Sequence, residues 1–306
     1  MRYLSNTFFK FIILLVTITH CGCKNEEKGQ RKIAFLFLTR GHIAFESIWR
    51  EFFTWRTREE EFSIYVHPQK GFTFRNTSFF YKKEIEHTVE TVYLKASVSE
   101  AERELLRAAL QDPLNEYFCL ISESCIPLHP FQTMRSALFR SGSSVVNACP
   151  MSPGASEVGL RWREPLAQVG LQKHQWRKSV QQFALTRKHA EIVAYDKILF
   201  KAFETVPIPD EHYIPTLLAF MGLDNETTCS GGFAYVRYGH TGVHPRTFGP
   251  KDITADIFQR LEDEDIGSDG FSVECSGTEI CHFTARKFLP EAKHKLIEFL
   301  GDYFLL

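Results

Sequence analysis

Lys32-Ile33-Ala34-Phe35-Leu36-Phe37-Leu38, closed by Thr39-Arg40-Gly41, is a nearly unbroken apolar run that stops at a polar turn. A strand with one wet face alternates apolar and polar residues, whereas a strand buried on both faces does not. This run therefore predicts a central strand with helices on either side. Phe62–Val66, ending at His67-Pro68, and Tyr117–Ile121, ending at Ser122-Glu123-Ser124, repeat the pattern. Helical spacing fills the intervals. Ile48, Trp49, Phe52 and Phe53 recur through 44–54, and Leu105, Leu106 and Leu110 follow Ser99-Glu100-Ala101-Glu102, which reads as a capping box. Strands alternating with helices predict an α/β fold with a mostly parallel sheet. Ligands then bind beyond the carboxyl ends of the strands, here Thr39, His67 and Ser122.

The rest of the chain reads less regularly. Pro130–Arg140 and Arg187–Phe203 are expected helices, Ser143–Asn147 a short strand, and 222–250 loops and short strands. Pro290–Leu306 is an amphipathic terminal helix. Residues 150–165 are rich in Gly, Pro and Ser and read as a loop.

Bulk properties narrow the functions open to the chain. At 306 residues with 44% hydrophobic content it can build a sizeable core without staples. The 28 phenylalanines predict a dense aromatic interior. A net charge of −1 supplies no field for nucleic acid. Residues 1–23 read as a signal peptide or signal-anchor: Arg2 and Lys10 flank Phe11–Ile18, and Cys21-Gly22-Cys23 offers small residues for cleavage. The apolar run is short for a span, which takes roughly 17–25 residues. Residues 24–31 read as a polar linker, and 32–306 as the folded domain. An uncleaved segment would tether the domain to a membrane; cleaved or not, the domain enters the secretory lumen. The glycosylation acceptors at Asn76 and Asn225 agree with that compartment. Of the cysteines outside the targeting segment, Cys275 and Cys281 flank a short loop and are the pair expected to bridge, while Cys119 reads as a buried thiol.

The chemistry concentrates in Pro207-Ile208-Pro209-Asp210-Glu211-His212-Tyr213-Ile214-Pro215-Thr216. A proline-stiffened loop delivers two adjacent carboxylates just before a helix. Asp210 is expected to cap that helix, which leaves Glu211 free to face a cleft as a general base. Both acids could equally do no more than complement the helix dipole. The turn after Ile121 holds a single carboxylate, Glu123, which is poor for a hard divalent cation. Asp263-Glu264-Asp265 lies in an acidic run and reads as a solvated loop. Arg286 and Lys287 are a basic pair after a short apolar segment.

Taken in order, these pieces resemble one family. They are Lys32–Gly41, Ser63-Ile64-Tyr65-Val66-His67, Leu120-Ile121-Ser122-Glu123-Ser124-Cys125-Ile126-Pro127-Leu128, Asp210-Glu211-His212-Tyr213, His244-Pro245-Arg246-Thr247-Phe248-Gly249 and Cys281-His282-Phe283-Thr284-Ala285-Arg286-Lys287-Phe288. Together they resemble the core-2/I-branching β-1,6-N-acetylglucosaminyltransferase-like family in its plant and algal branch, from about residue 32 to about 290. The resemblance implies a single-domain nucleotide-sugar transferase fold of the GT-A-like kind and a Golgi, type II placement. It implies an inverting transferase that takes a UDP-sugar, most often UDP-GlcNAc, to a glycan hydroxyl with no metal and no other cofactor. Glu211 matches the family's base. Thr39, His67 and Ser122 fall in its nucleotide site, and Lys287, beside Arg286, matches a cation that replaces the metal. Gln69 stands where the animal branch has Asp, and Tyr238 where plant relatives show Trp. Gln175-Trp176-Arg177-Lys178 is similar to a plant motif. Trp176, Arg177, Tyr238 and His244 are thereby acceptor candidates. The rival readings are an inactive carbohydrate-binding protein on the same fold, a transferase using UDP-glucuronate or UDP-xylose, and a glycoside hydrolase built on Glu211 and Glu123.

Overall fold

The computed structural model describes residues 30–150, 161–229, 232–237, 245–257, 264–266, 272–274 and 280–304. The targeting segment lies outside them. Three buried strands form the centre: β1 (Lys32–Leu38), β2 (Phe62–His67) and β3 (Asn115–Ser122). Both neighbours run parallel to β1, and Leu38 stands opposite His67 on one side and Ser122 on the other. The three carboxyl ends are thus level along one edge. β4 (Ile126–Pro127) follows directly, and β5 (Ala184–Thr186) adds antiparallel to β3, giving the order β2-β1-β3-β5.

Alternate residues of these strands feed two cores. Ile33, Phe35 and Phe37 pack with Trp49, Phe52 and Phe53 of helix Glu46–Thr54 and Phe131 of helix Phe131–Ser141. Their rings meet mainly edge to face, Phe35 and Phe53 at 4.9 Å and Phe37 and Trp49 at 5.2 Å, so much of the aromatic content goes here. Ala34 and Leu36 point the other way, into helices Ala96–Ala109, Arg187–Tyr195 and Tyr213–Phe220. The sheet is therefore covered on both faces, which is why its strands read as continuous apolar runs.

A second sheet brings in the C-terminal half. β6 (Gly232–Val236) and β9 (His282–Arg286) are parallel, and β9 pairs antiparallel with β4. β7 (Glu264–Ile266) and β8 (Ser272–Glu274) form a separate antiparallel pair. Glu264 and Asp265 thus belong to a strand, not to the solvated loop expected of them.

Three further expectations are corrected, and one disulfide is new. Helix Ala96–Ala109 starts three residues before the proposed capping box; Lys95 precedes it without a side-chain cap, and Ser99 and Glu102 are buried within it. The helix expected over 187–203 breaks at Asp196, whose carboxylate accepts from the N–H groups of Ile198, Leu199 and Phe200 and so starts a new helix, Ile198–Phe203. Ser143–Asn147 forms only isolated bridges, at Ser144 and Val145. A disulfide joins Cys149 to Cys229, 80 residues on. Closing so long a loop is worth roughly 4 kcal/mol through the unfolded state. Cys281 is also in a disulfide, and Cys275 lies outside the described residues. Cys119 is a buried thiol.

Candidate active site

A cavity of about 300 Å³ opens at the level edge of β1–β3. Thr39, Gln69, Ser122, Glu123, Arg286 and Lys287 all line it, so six positions scattered over the sequence converge. Strand geometry places the first four. β9 delivers the two cations: Phe248 N–H donates to the Lys287 carbonyl at 2.7 Å, and Phe288 N–H to that of Ser124 at 3.4 Å, which fastens Arg286-Lys287 beside the exit of β3. Arg40, Thr91, Tyr93, Gln181 and Gln182 complete the wall and were not foreseen.

The cavity is rich in positive charge. Arg40 donates from Nε to Glu123 Oε1 at 2.8 Å, so the lone carboxylate of the β3 turn is already engaged by a cation. Lys287 is half-buried. Burial, and then the charges of Arg286 and Arg40, hold its ammonium below the ordinary lysine value. Such a group gains from any anion that enters. A second cavity of about 530 Å³ adjoins the first across Arg40, Glu123, Ser124 and Lys287.

His67 departs from expectation. It is fully buried, does not line the cavity, and accepts the Val89 N–H on Nε2 at 3.0 Å. Burial keeps it neutral. It fixes the loop that carries Thr91 and Tyr93 in place of touching a ligand.

Glu211 sits in a 3-10 turn, Pro209–Glu211, ahead of helix Tyr213–Phe220. Its Oε2 meets Arg161 Nη1 at 2.7 Å and Lys178 Nζ at 4.0 Å. Arg161 also donates to His212 Nε2 at 3.2 Å, while His212 Nδ1 donates to the Arg177 carbonyl at 2.7 Å. His212 is buried, and that burial lowers it to about 3, which suits an imidazole that must accept from a guanidinium. The turn is anchored by Ser179 N–H to the Glu211 carbonyl. It is entered through Ile208 at φ 53°, whose N–H donates to the carbonyl of Leu94 at φ 64°. Left-handed backbone at a β-branched residue is costly, by roughly 1–2 kcal/mol, and persists only where packing enforces it.

Trp176 and Arg177 are corrected as acceptor candidates. Trp176 is 2% exposed and stacked between Phe203 and His212, so neither ring face is open to a sugar. Arg177 is 5% exposed and donates to the carbonyls of Ala148, His174 and Trp176. From the same quartet it is Lys178 that reaches Glu211. Tyr238 and His244 lie outside the described residues. Asn76 and Asn225 are exposed.

Asp210 does not cap the helix. It stands two residues before the N-cap position, which His212 occupies, and its Oδ1 is shut from solvent with no hydrogen-bond partner. Burial, and then the neighbouring charge of Glu211, raise it to about 6. A carboxyl raised above its unfolded value binds its proton more tightly in the folded chain. The fold is therefore favoured at low pH and loses that advantage as pH climbs from about 4 to about 6. At pH 7 the ionised group costs up to about 3 kcal/mol. Asp210→Asn should accordingly be more stable than wild type by about 1–3 kcal/mol at pH 7 and little different near pH 4. Urea unfolding at the two pH values checks this; a variant destabilised at pH 7 would contradict it.

The described residues thus form an α/β scaffold with a cationic cavity at its strand ends; Glu211, on the turn ahead of helix Tyr213–Phe220, does not line that cavity. The profile of the Core-2/I-Branching enzyme family matches residues 33–262. Glycosyltransferase BC10 of Oryza sativa subsp. japonica is 31% identical over 88% of this chain and 77% of its own. The chain belongs to the core-2/I-branching family and is a glycosyltransferase. Among solved structures, an active-site mutant of LgtC superposes with a TM-score of 0.39 at 8% identity, covering 83% of this chain and 87% of that one.

Proposed function

We propose that the protein transfers a sugar from a UDP-sugar to a glycan hydroxyl with inversion and without a metal, in the secretory pathway. The observation that supports this most is the convergence of Arg40, Arg286 and Lys287 on the cavity at the ends of β1 and β3. Three cations there suit a diphosphate whose charge grows as the bond to the sugar breaks. Glu211 is the base. Both of its cationic partners sit on Oε2, which leaves Oε1 to take the proton of the acceptor hydroxyl. The oxygen attacks the anomeric carbon from the side opposite UDP, and the configuration inverts. UDP-GlcNAc is the preferred donor, by family membership. The N-terminal segment anchors the domain in a Golgi membrane with the catalytic part in the lumen. Among the described residues no helix is long and apolar enough to cross a membrane, and residues 1–29 lie outside them.

Metal independence is tested by following UDP-sugar hydrolysis, or transfer once an acceptor is found, in excess EDTA. The rate should stay within about twofold of the untreated enzyme, since fixed cations need no exchangeable ion. Loss of nearly all activity, restored by Mn²⁺, would overturn this part of the reading.

A further inference from the structure

A second pair of carboxyls lies beneath the site. Glu102 projects from helix Ala96–Ala109 and is 1% exposed. Its Oε1 accepts from Gln181 Nε2 at 2.9 Å, while its Oε2 is shut from solvent and has no partner. The turn that carries Glu211 packs on this helix, and there Asp210 Oδ1 is buried and unpartnered too. Two orphaned acidic oxygens on touching elements are costly as two carboxylates, because neither has a donor. One proton resolves both, since a carboxylic acid is a donor that a carboxylate is not. Glu102 is the better holder: it is the more buried, and burial followed by the charge of Asp210 drives its proton affinity well up.

Glu102 is also tied to the leaving-group side. Gln182 Nε2 donates to Gln181 Oε1 at 3.4 Å, and Arg286 Nη1 donates to Gln182 Oε1 at 3.0 Å. Arg286, Gln182, Gln181 and Glu102 thus form one chain from the cavity cation to the helix. The charged groups around the pair are Glu211 on its own turn, Arg161, and Arg286 at the end of β9.

We propose that Glu102 is a positioning residue that joins the two halves of the site: its neutral carboxyl donates to Asp210, directly or through one water, and so holds the turn of Glu211, while its other oxygen anchors the glutamine chain to Arg286. This rests on Glu211 being the base. Ordering of this kind matters because a displacement of about 1 Å at a reacting group costs up to about 100-fold in rate.

The test compares Glu102→Gln with Glu102→Leu. Gln keeps one donor and one acceptor, whereas Leu fills the space and keeps neither. Glu102→Leu should lower kcat by about 10–100-fold and weaken UDP binding several-fold. Glu102→Gln should recover both to within about threefold of wild type. Packing alone would be served by either residue. Independently of activity, infrared difference spectra of the resting protein near pH 8 should show a protonated-carboxyl band that Glu102→Gln removes. The proposal is overturned if that band is absent, if Gln is as impaired as Leu, or if Leu is as active as wild type. Glu211→Gln run in the same assay separates the two ideas: full activity there rejects the base and leaves the infrared result to decide the protonation of Glu102.

Discussion

Glu211→Gln is expected to lower sugar transfer by about 10²–10⁴-fold while leaving the fold and UDP affinity intact. Gln has the same volume, and its amide oxygen can still accept from Arg161, so the turn should not move. What disappears is the ability to take a proton near neutral pH. UDP affinity should hold because Arg40, Arg286 and Lys287 line the cavity at the strand ends and Glu211 does not. The comparison with Asp210→Asn sharpens the test. Asp210 has a buried, unpartnered oxygen and sits against the helix, so its loss should change stability with pH more than it changes turnover. A base at Asp210 would give the reverse pattern.

Lys287→Ala should reduce the rate by about 10²–10³-fold and weaken UDP binding, as removal of a preorganised charge at a leaving group does. Arg286→Ala should cost less, since one of its donors is already engaged by Gln182. The pH dependence follows from the environment of Lys287. Its ammonium must be present to hold a diphosphate, and burial together with Arg286 and Arg40 holds it below the ordinary lysine value. UDP affinity should therefore fall as pH rises, starting below the pH at which a free lysine titrates. The alanine variant should lack that limb. If Lys287→Ala binds UDP as tightly as wild type, the leaving group is stabilised elsewhere.

The sheet and much of the cavity lining at its strand ends were legible in the sequence, for a definite reason. Strands buried on both faces carry continuous apolar runs, and in a parallel arrangement their ends mark the cavity. Thr39, Ser122 and Glu123 could therefore be placed with no knowledge of tertiary contacts. β5 could not be foreseen, because three residues are too few for a pattern and its place is set by pairing with β3. Apolar spacing runs on across Asp196, so only its bonds to three following N–H groups show the break. The Cys149–Cys229 bridge spans 80 residues, a separation at which sequence proximity says nothing. A motif gives residue types without their burial. Trp176 and Arg177 read as surface acceptor contacts and lie in the core, while Lys178 beside them reaches the carboxylate. Arg161 lies in a stretch whose sequence has no periodicity, and its partnership with Glu211 is visible only in three dimensions.

The proposed reaction is a direct displacement at the anomeric carbon, assisted by Glu211 and needing no metal. The measurement that tests it most directly requires no knowledge of the acceptor. UDP-α-GlcNAc is incubated with the enzyme in excess EDTA, and the sugar first released is identified by proton NMR before mutarotation. Inverting chemistry predicts that the β anomer appears first, and that Glu211→Gln removes the signal. Initial release of the α anomer would contradict it, because a single displacement cannot retain configuration.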